Sequence, residues 1–165
     1  MLFLLLGTAA SEGSVINWCS MHRMHHRFEN SNKLLDPYSI QKFCKDDDCK
    51  KICRKPHMIL NFLHAHCMWF FSDLTPLFRK QQKHIIDEME NEEWKNDFSI
   101  LLLQQKYYFM MMPLLTFIIP ILISKKIFKD SWKSSIGATF LRVIAIWHST
   151  YCINSLAHLF GGRKN

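Results

Sequence analysis

Residues 18–28 read Trp-Cys-Ser-Met-His-Arg-Met-His-His-Arg-Phe, so three of the chain's nine histidines (His22, His25 and His26) fall within five positions. If the segment is helical, steps of about 100° per residue put His25 and His26 on either side of His22, within a sector of about 100°. Three imidazoles on one face form a donor set for a metal ion. Neutral imidazole suits iron, copper, nickel and zinc alike, so ligand type does not choose among them. The plainer alternative is a solvated basic patch of His and Arg. A second group lies near the other end: Thr150, Asn154 and His158 recur at i, i+4 and i+8, a polar stripe within an apolar segment. Polar groups in a membrane helix usually face a cavity or a site. Helix–helix hydrogen bonding by Thr and Asn, with His158 at interfacial water, is the alternative. A third group, Cys44-x4-Cys49-x3-Cys53-x3-His57, offers three thiols and an imidazole. These are donor types for tetrahedral zinc, at a spacing that matches no established finger pattern.

Of the elements around these groups, the two longest are apolar. Tyr107 to Ser124 holds no charged residue over 18 positions, about 27 Å of helix. Its Pro113 and Pro120 are better tolerated in membrane helices than in soluble ones. Tyr107-Tyr108 at one end and Lys125-Lys126 at the other suit interfacial anchoring. Val143 to Gly162 is a second stretch, 20 residues without Asp, Glu, Lys or Arg. The short loop 125–135 between them predicts a helical hairpin across a bilayer, with a pair of core helices in a soluble bundle as the alternative. The start, MLFLLLGTAASEGSV, lacks the basic n-region of a signal peptide. Its uncharged run ends at Glu12, short of the ~20 residues that span a bilayer. We read it as the tail of a spanning helix. Residues 27–99 read as soluble and charged, with an Asp46–Asp48 run and an acidic block at 87–93.

Composition narrows the classes. The chain has 165 residues, with 21 Lys+Arg against 14 Asp+Glu, a net charge of +7, and 48% hydrophobic residues including 13 Phe. That content excludes a disordered or solvating segment, and only 5 Gly and 5 Pro exclude collagen-like or low-complexity sequence. The basic residues are scattered in pairs without a nucleic-acid-binding motif, so nucleic acid is not an expected partner. Six cysteines (Cys19, Cys44, Cys49, Cys53, Cys67, Cys152) are too sparse for a disulfide scaffold and point to a reducing compartment or a membrane. Loop charge does not settle orientation, because long loops are poor guides to it.

With these residues in view, HRMHHRFENSNKLLDPYS resembles the second histidine box of the membrane-bound acyl-CoA desaturases of the stearoyl-CoA (Δ9) group, whose pattern is HRxHHxF…DP. Trp18 stands four residues ahead of the box, where the family keeps a Trp. QQKYY at 104–108 resembles the family's Q-[RK]-[RK]-YY before its third spanning helix. INSLAHLFGGR at 153–163 is similar to VNSAAHxFGxR at the end of the fourth, and His64-Ala-His66-Cys-Met-Trp69 is similar to F-x-H-x-G-W. The resemblance implies an all-α fold: an integral membrane helical bundle, part of the histidine-box core, with a cytosolic helical and loop region. On that reading, residues 1–16 are the remnant of a spanning helix and 17–106 are cytosolic. That cytosolic region includes a cysteine-containing insert near 40–58, and 107–124 and 143–162 cross the membrane.

The resemblance further implies a two-iron, oxygen-dependent enzyme of the endoplasmic reticulum membrane. Such enzymes place a double bond in a fatty acyl-CoA with electrons from cytochrome b5. Carried over by position, His22, His25, His26 and His158 would be iron ligands, and Asn154 would hold a metal-bound water. Trp18 and Thr150 would line the acyl tunnel, and Arg79 and Lys80 would stand in for an Arg-Lys pair that binds coenzyme A.

The chain departs from the family at several places. No histidine pair has the H-x4-H spacing of the first box, and nothing after His158 resembles the third, HNxHH. Ser20-Met21 replaces an Arg-Asp pair, and the 28 residues between Pro37 and His66 exceed the family's segment. The expectation is therefore a partial desaturase chain that forms no product alone. The rivals are a non-catalytic desaturase-like membrane protein that pairs with full-length relatives, and a small membrane protein whose Cys/His insert binds zinc.

Overall fold

The structure, a computed structural model, describes residues 2–29, 31–32, 34–39, 55–71 and 75–158. Among the described residues every regular element is helical: α1 (Leu2–Ala9), α2 (Val15–Phe28), α3 (Lys55–His66), α4 (Pro76–Glu88), α5 (Phe98–Pro113), α6 (Ile119–Lys126) and α7 (Trp132–Cys152). A 3₁₀ turn covers Met68–Phe71, and π turns cover Met89–Glu93, Leu114–Ile118 and Ile153–Ala157. The chain divides into two compact units, residues 1–19 with 88–148, and 20–87 with 149–165. Most of the 40–58 insert, including Cys44, Cys49, Cys53 and the His57 side chain, lies outside the described residues, as does the chain beyond His158.

In the first unit several polar side chains are buried while many large apolar ones are exposed. Gln104, Thr116, Ser135 and Thr139 are buried, whereas Phe109 is 85% exposed, Met110 68% and Leu141 68%. Exposed apolar faces of this kind suit lipid, in which a helix satisfies its own backbone polar groups. Two continuous helical stretches, Phe98–Lys126 and Trp132–Ala157, are long and apolar enough to cross a membrane, and only 11% of each apolar window is buried. Core helices of a soluble bundle would be mostly covered. Both stretches run further than the charge-free windows: one starts at Phe98 rather than Tyr107, the other at Trp132 rather than Val143. The backbone stays helical through Lys106, Lys133 and Arg142, because a charged side chain does not interrupt the hydrogen-bond ladder as proline does.

Arg142 shows how a guanidinium is accommodated in such a helix. Pro120 has no N–H to give to the carbonyl four residues back, which belongs to Thr116. The backbone there loosens into the π turn Leu114–Ile118, and the Arg142 guanidinium donates to the Thr116 carbonyl at 2.6 Å.

The turn between α1 and α2 is held by side chains from the same unit. Thr116 Oγ1 donates to the Ala9 carbonyl (3.2 Å), and Trp147 Nε1 donates to Ser11 Oγ (3.0 Å). The Gly13 N–H donates to the Tyr108 hydroxyl (2.9 Å). Gln104 accepts from the Val15 N–H through Oε1 (3.2 Å) and donates through Nε2 to Thr8 Oγ1 (3.0 Å). Gly13 has φ of +111°, a conformation glycine reaches without the penalty of a side chain. Ser14 then starts α2, its Oγ accepting from the Asn17 N–H (3.3 Å) as an N-cap. The helix thus begins one turn before Trp18 and two turns before His22.

The second unit contains the C-terminal half of α2, which runs into an irregular segment ordered by side-chain acceptors. Asn32 Oδ1 accepts from the Leu34 N–H (3.0 Å), and Asp36 Oδ1 accepts from the Tyr38 N–H (2.9 Å). Both are Asx turns. Buried His64 on α3 donates from Nε2 to the Pro37 carbonyl (3.2 Å), tying that segment to α3. Thr75 caps α4, accepting from the Phe78 N–H (3.1 Å) with Pro76 at the first helical position. Gln82 on α4 donates to Ser20 Oγ on α2 (3.0 Å).

Candidate metal centre

The histidine box lies in the last two turns of α2, where the helix carries His22, His25 and His26. His25 is buried, and its Nδ1 is 2.8 Å from Asp36 Oδ1, also buried. An ionised carboxylate only accepts, so Nδ1 carries the proton and Nε2 keeps its lone pair. Asp36 is placed for this by its own turn, whose Tyr38 N–H donates to the same oxygen. A carboxylate behind a histidine, fixing its tautomer and raising its basicity, is the usual outer-shell arrangement at metal sites.

The free lone pair points at other donors. His25 Nε2 is 3.1 Å from His158 Nε2 and 3.3 Å from Glu29 Oε2, and the donor atoms of this trio all lie within 4.8 Å of one another. His22 and His26 form a second pair, Nε2 to Nε2 at 3.1 Å with the rings edge-on. The rings of His25 and His26 are 5.5 Å apart, so all four imidazoles join one cluster. Two nitrogens bound to one ion at about 2.0–2.1 Å, with angles between square and tetrahedral, stand about 2.9–3.4 Å apart. Both pairs meet that spacing. The donor set therefore fits metal binding, with a trio around His25 and a pair around His22. Burial lowers the His22 pKa below its ordinary value, with further lowering from the charges that His26 and His25 would carry. This keeps the imidazole in its neutral, ligating form.

His158 is brought to the cluster by the π turn Ile153–Ala157, which ends on it. A single π turn inside a longer helix often marks a functional site. Asn154 and Ser155 are buried in that turn, and Thr150 is half-buried one turn before Asn154. Ser155 Oγ donates to the Tyr151 carbonyl (2.8 Å) and accepts from His66 Nδ1 (2.9 Å). Of the residues expected to form a site, the structure gathers His22, His25, His26 and His158. Trp18 is half-buried on α2, one turn ahead of the box, and Arg79 and Lys80 are exposed on α4.

Sequence reasoning did not select Glu29 or Asp36. Glu29 carried a signal, since it follows His25 by four residues and so shares its helix face. Asp36 belongs to the DP pair of the quoted motif, but its role depends on the fold of residues 29–39.

No protein-family model matches the chain. Individual proteins do. Acyl-CoA desaturase 1 of Saccharomyces cerevisiae is 30% identical over 161 residues, covering 98% of this chain and 26% of its own length. The stearoyl-CoA desaturase of Homo sapiens is 26% identical over 98% of this chain and 39% of its own length. The sn-2 palmitoyl-lipid 9-desaturase of a Nostoc strain is 27% identical over 96% of this chain and 45% of its own length. The chain is related to the acyl-CoA desaturases. It spans about a quarter to under half of the length of these relatives. The aligned region takes in both the box on α2 and His158, so this desaturase-related chain carries its histidine cluster within the matched part.

Proposed function

We propose that the chain serves an acyl-CoA desaturase, an oxidoreductase that forms a double bond in the hydrocarbon chain of a fatty acyl-CoA. The observation that carries this reading is the array of buried Asp36 and His25 with half-buried His158, in a chain related to desaturases over nearly its whole length. Removing two hydrogens from adjacent carbons, with O2 taking them and two further electrons and protons to form two waters, needs a strong oxidant at an unactivated C–H bond. Iron is the metal whose chemistry supplies it, two ions in the complete family site, with His22, His25, His26 and His158 as ligands and Asn154 acting through a water. Glu29 adds a carboxylate to the His25–His158 pair. Asp36 holds the His25 proton on Nδ1 and leaves Nε2 for the metal.

The substrate, by this reading, is a chain without polar handles that must be aligned by shape. Trp18 and Thr150 line its path, and exposed Arg79 and Lys80 meet the phosphates of coenzyme A. Cytochrome b5 supplies electrons. Residues 17–106 face the cytosol, with 107–124 and 143–162 as the membrane-crossing cores of the two long helices, in the multi-pass arrangement of an endoplasmic reticulum protein.

The test is metal analysis of the chain purified in lipid nanodiscs after incubation with ferrous ion. Bound iron that is lost in His25→Ala and His158→Ala, but retained in His84→Ala, supports the reading. Equal iron in all three variants, or zinc retained in their place, overturns it. Conversion of a saturated acyl-CoA in microsomes expressing this chain, with the same His25 dependence, would extend the reading to catalysis.

A further inference from the structure

Within the second unit a line of aromatic rings leads away from the histidine cluster. His25 meets Tyr38 edge-on at 5.2 Å between ring centroids, Tyr38 meets Trp69 at 4.9 Å, and Trp69 meets Phe70 at 5.8 Å. Phe70 then meets Phe71 at 5.6 Å. The line starts in the interior, with Tyr38 4% exposed, and ends outside, with Phe70 61% and Phe71 83% exposed. The segment that orders Asp36 also places Tyr38, and the 3₁₀ turn Met68–Phe71 places the other three rings. Trp69 has a further feature. Its indole N–H is buried and has no hydrogen-bond partner among the described residues. A buried indole N–H normally finds an acceptor, and leaving it without one is destabilising. Packing alone is served as well by phenylalanine.

We propose that Trp69 and Tyr38 form a one-electron outlet for the histidine site. Through it, an oxidising equivalent that meets no substrate C–H bond is discharged to a small water-soluble reductant, such as a thiol or an enediol, at the Phe70–Phe71 face. The inference rests on the metal reading above. Trp69 gives one electron inward across the Tyr38 ring to the oxidised metal ion on the imidazoles, which is thereby reduced by one unit. The indole is left as a radical cation. With no acceptor at Nε1 among the described residues it keeps its proton, so the step moves an electron and no proton. The reductant at the surface then returns one electron to the indole and is itself oxidised by one. Tyr38 is a positioning and bridging residue here, and Trp69 is the redox-active group.

The experiment runs the same path in reverse, in the full chain in nanodiscs, with ferrous ion as the probe and iron per chain measured first. A ruthenium polypyridyl photo-oxidant, with a sacrificial acceptor, removes one electron from tryptophan, and transient absorption follows the indole radical. With iron bound, the Trp69 radical should decay at least tenfold faster than without it, while a ferric resonance grows in. Trp69→Phe should remove the fast-decaying component, and Tyr38→Leu should restore the slow decay with iron still bound. Equal decay with and without bound iron overturns the outlet and leaves the metal reading standing. So does ferric growth unchanged in Trp69→Phe, which would leave the rings as core packing. Failure to bind iron at all overturns both.

Discussion

In the unit of residues 1–19 and 88–148, Tyr108, Thr116 and Arg142 direct their side-chain hydrogen bonds to backbone groups within that unit, Gln104 to the Val15 N–H and to Thr8 Oγ1, and Trp147 to Ser11 Oγ. In the unit of residues 20–87 and 149–165, His25 and His158, and His22 and His26, direct ring nitrogens at one another. Most of the first set, and His158 of the second, are polar groups near or within long apolar helices, whereas His22, His25 and His26 are carried on the more polar α2. The first set closes hydrogen-bond deficits left by a proline, a glycine turn and a helix start. The second brings lone pairs together, which only a proton or a metal ion can bridge. Polarity within an apolar helix is therefore not by itself a sign of a site; what distinguishes the second set is that its ring nitrogens converge on one another.

The contrast breaks most visibly at the carboxylate behind the box. Asp36→Ala removes the group that fixes the His25 tautomer, and the expected cost is about 10–100-fold in metal affinity. Isothermal titration of ferrous ion, or competition with a chelator of known affinity, would measure it. An unchanged affinity would mean that His25 is not a ligand through Nε2. The same variant should leave the backbone bonds of the first unit intact, which amide hydrogen exchange around residues 10–15 would report.

Arg142 probes the opposite behaviour. Arg142→Leu leaves the Thr116 carbonyl without its donor, at an expected cost of about 2 kcal/mol, in the range for hydrogen bonds to charged groups, with no change in metal affinity. Because the deficit originates at Pro120, Pro120→Ala should return an N–H to the helix and reduce the cost of losing Arg142. A double-mutant cycle on thermal or denaturant unfolding reads that coupling. Additive effects would separate Arg142 from the proline and reopen it as a functional intramembrane charge, the default reading of such a residue.

These two regions also differ in how far the sequence disclosed them. The spacing of His22, His25 and His26 and the apolar run ending in His158 were legible, because helix periodicity fixes which side chains share a face. The helix ends were less so. A window free of charge stops at Lys106 and starts again after Arg142, whereas the backbone hydrogen bonds continue through both. The stripe Thr150–Asn154–His158 assumed a regular α-helix, and the π turn Ile153–Ala157 instead leaves Asn154 and Ser155 as the buried pair. Asp36, Tyr38 and Trp69 could not be read as neighbours, since two Asx turns and the His64–Pro37 bond decide where residues 32–39 lie.

Gln104 gives a smaller effect in the first unit. Gln104→Leu strands the Val15 N–H and removes the donor to Thr8 Oγ1, whose own proton still goes to the Leu4 carbonyl, at an expected cost of about 1–2 kcal/mol. Gln104→Glu tests the assignment further, since a carboxylate still accepts from Val15 but, when ionised, can no longer donate to Thr8. An intermediate loss of stability in Gln104→Glu supports two separate bonds, and a loss equal to that of leucine would assign the whole effect to the Thr8 contact.

The smallest expected effect concerns protons at the box. His22 has its pKa lowered in the folded chain, by burial first and then by His26 and His25. As pH falls through the ordinary histidine range, the unfolded chain takes up a proton at this position before the folded chain does, so stability declines on acidification. Above that range both forms are neutral at His22, and the contribution is flat. His22→Gln removes this titration and should shallow the acid limb of the metal-free chain's stability curve, leaving the curve above neutral pH unchanged. If the two acid limbs superimpose, the crowding of imidazoles at His22 does not reach the folding equilibrium. Bound metal should act in the opposite direction and steepen the acid limb, because a ligated imidazole takes up no proton in the folded chain while the unfolded chain still does. First-unit variants such as Gln104→Leu carry no such proton, so their loss of stability should be the same on both sides of the histidine range.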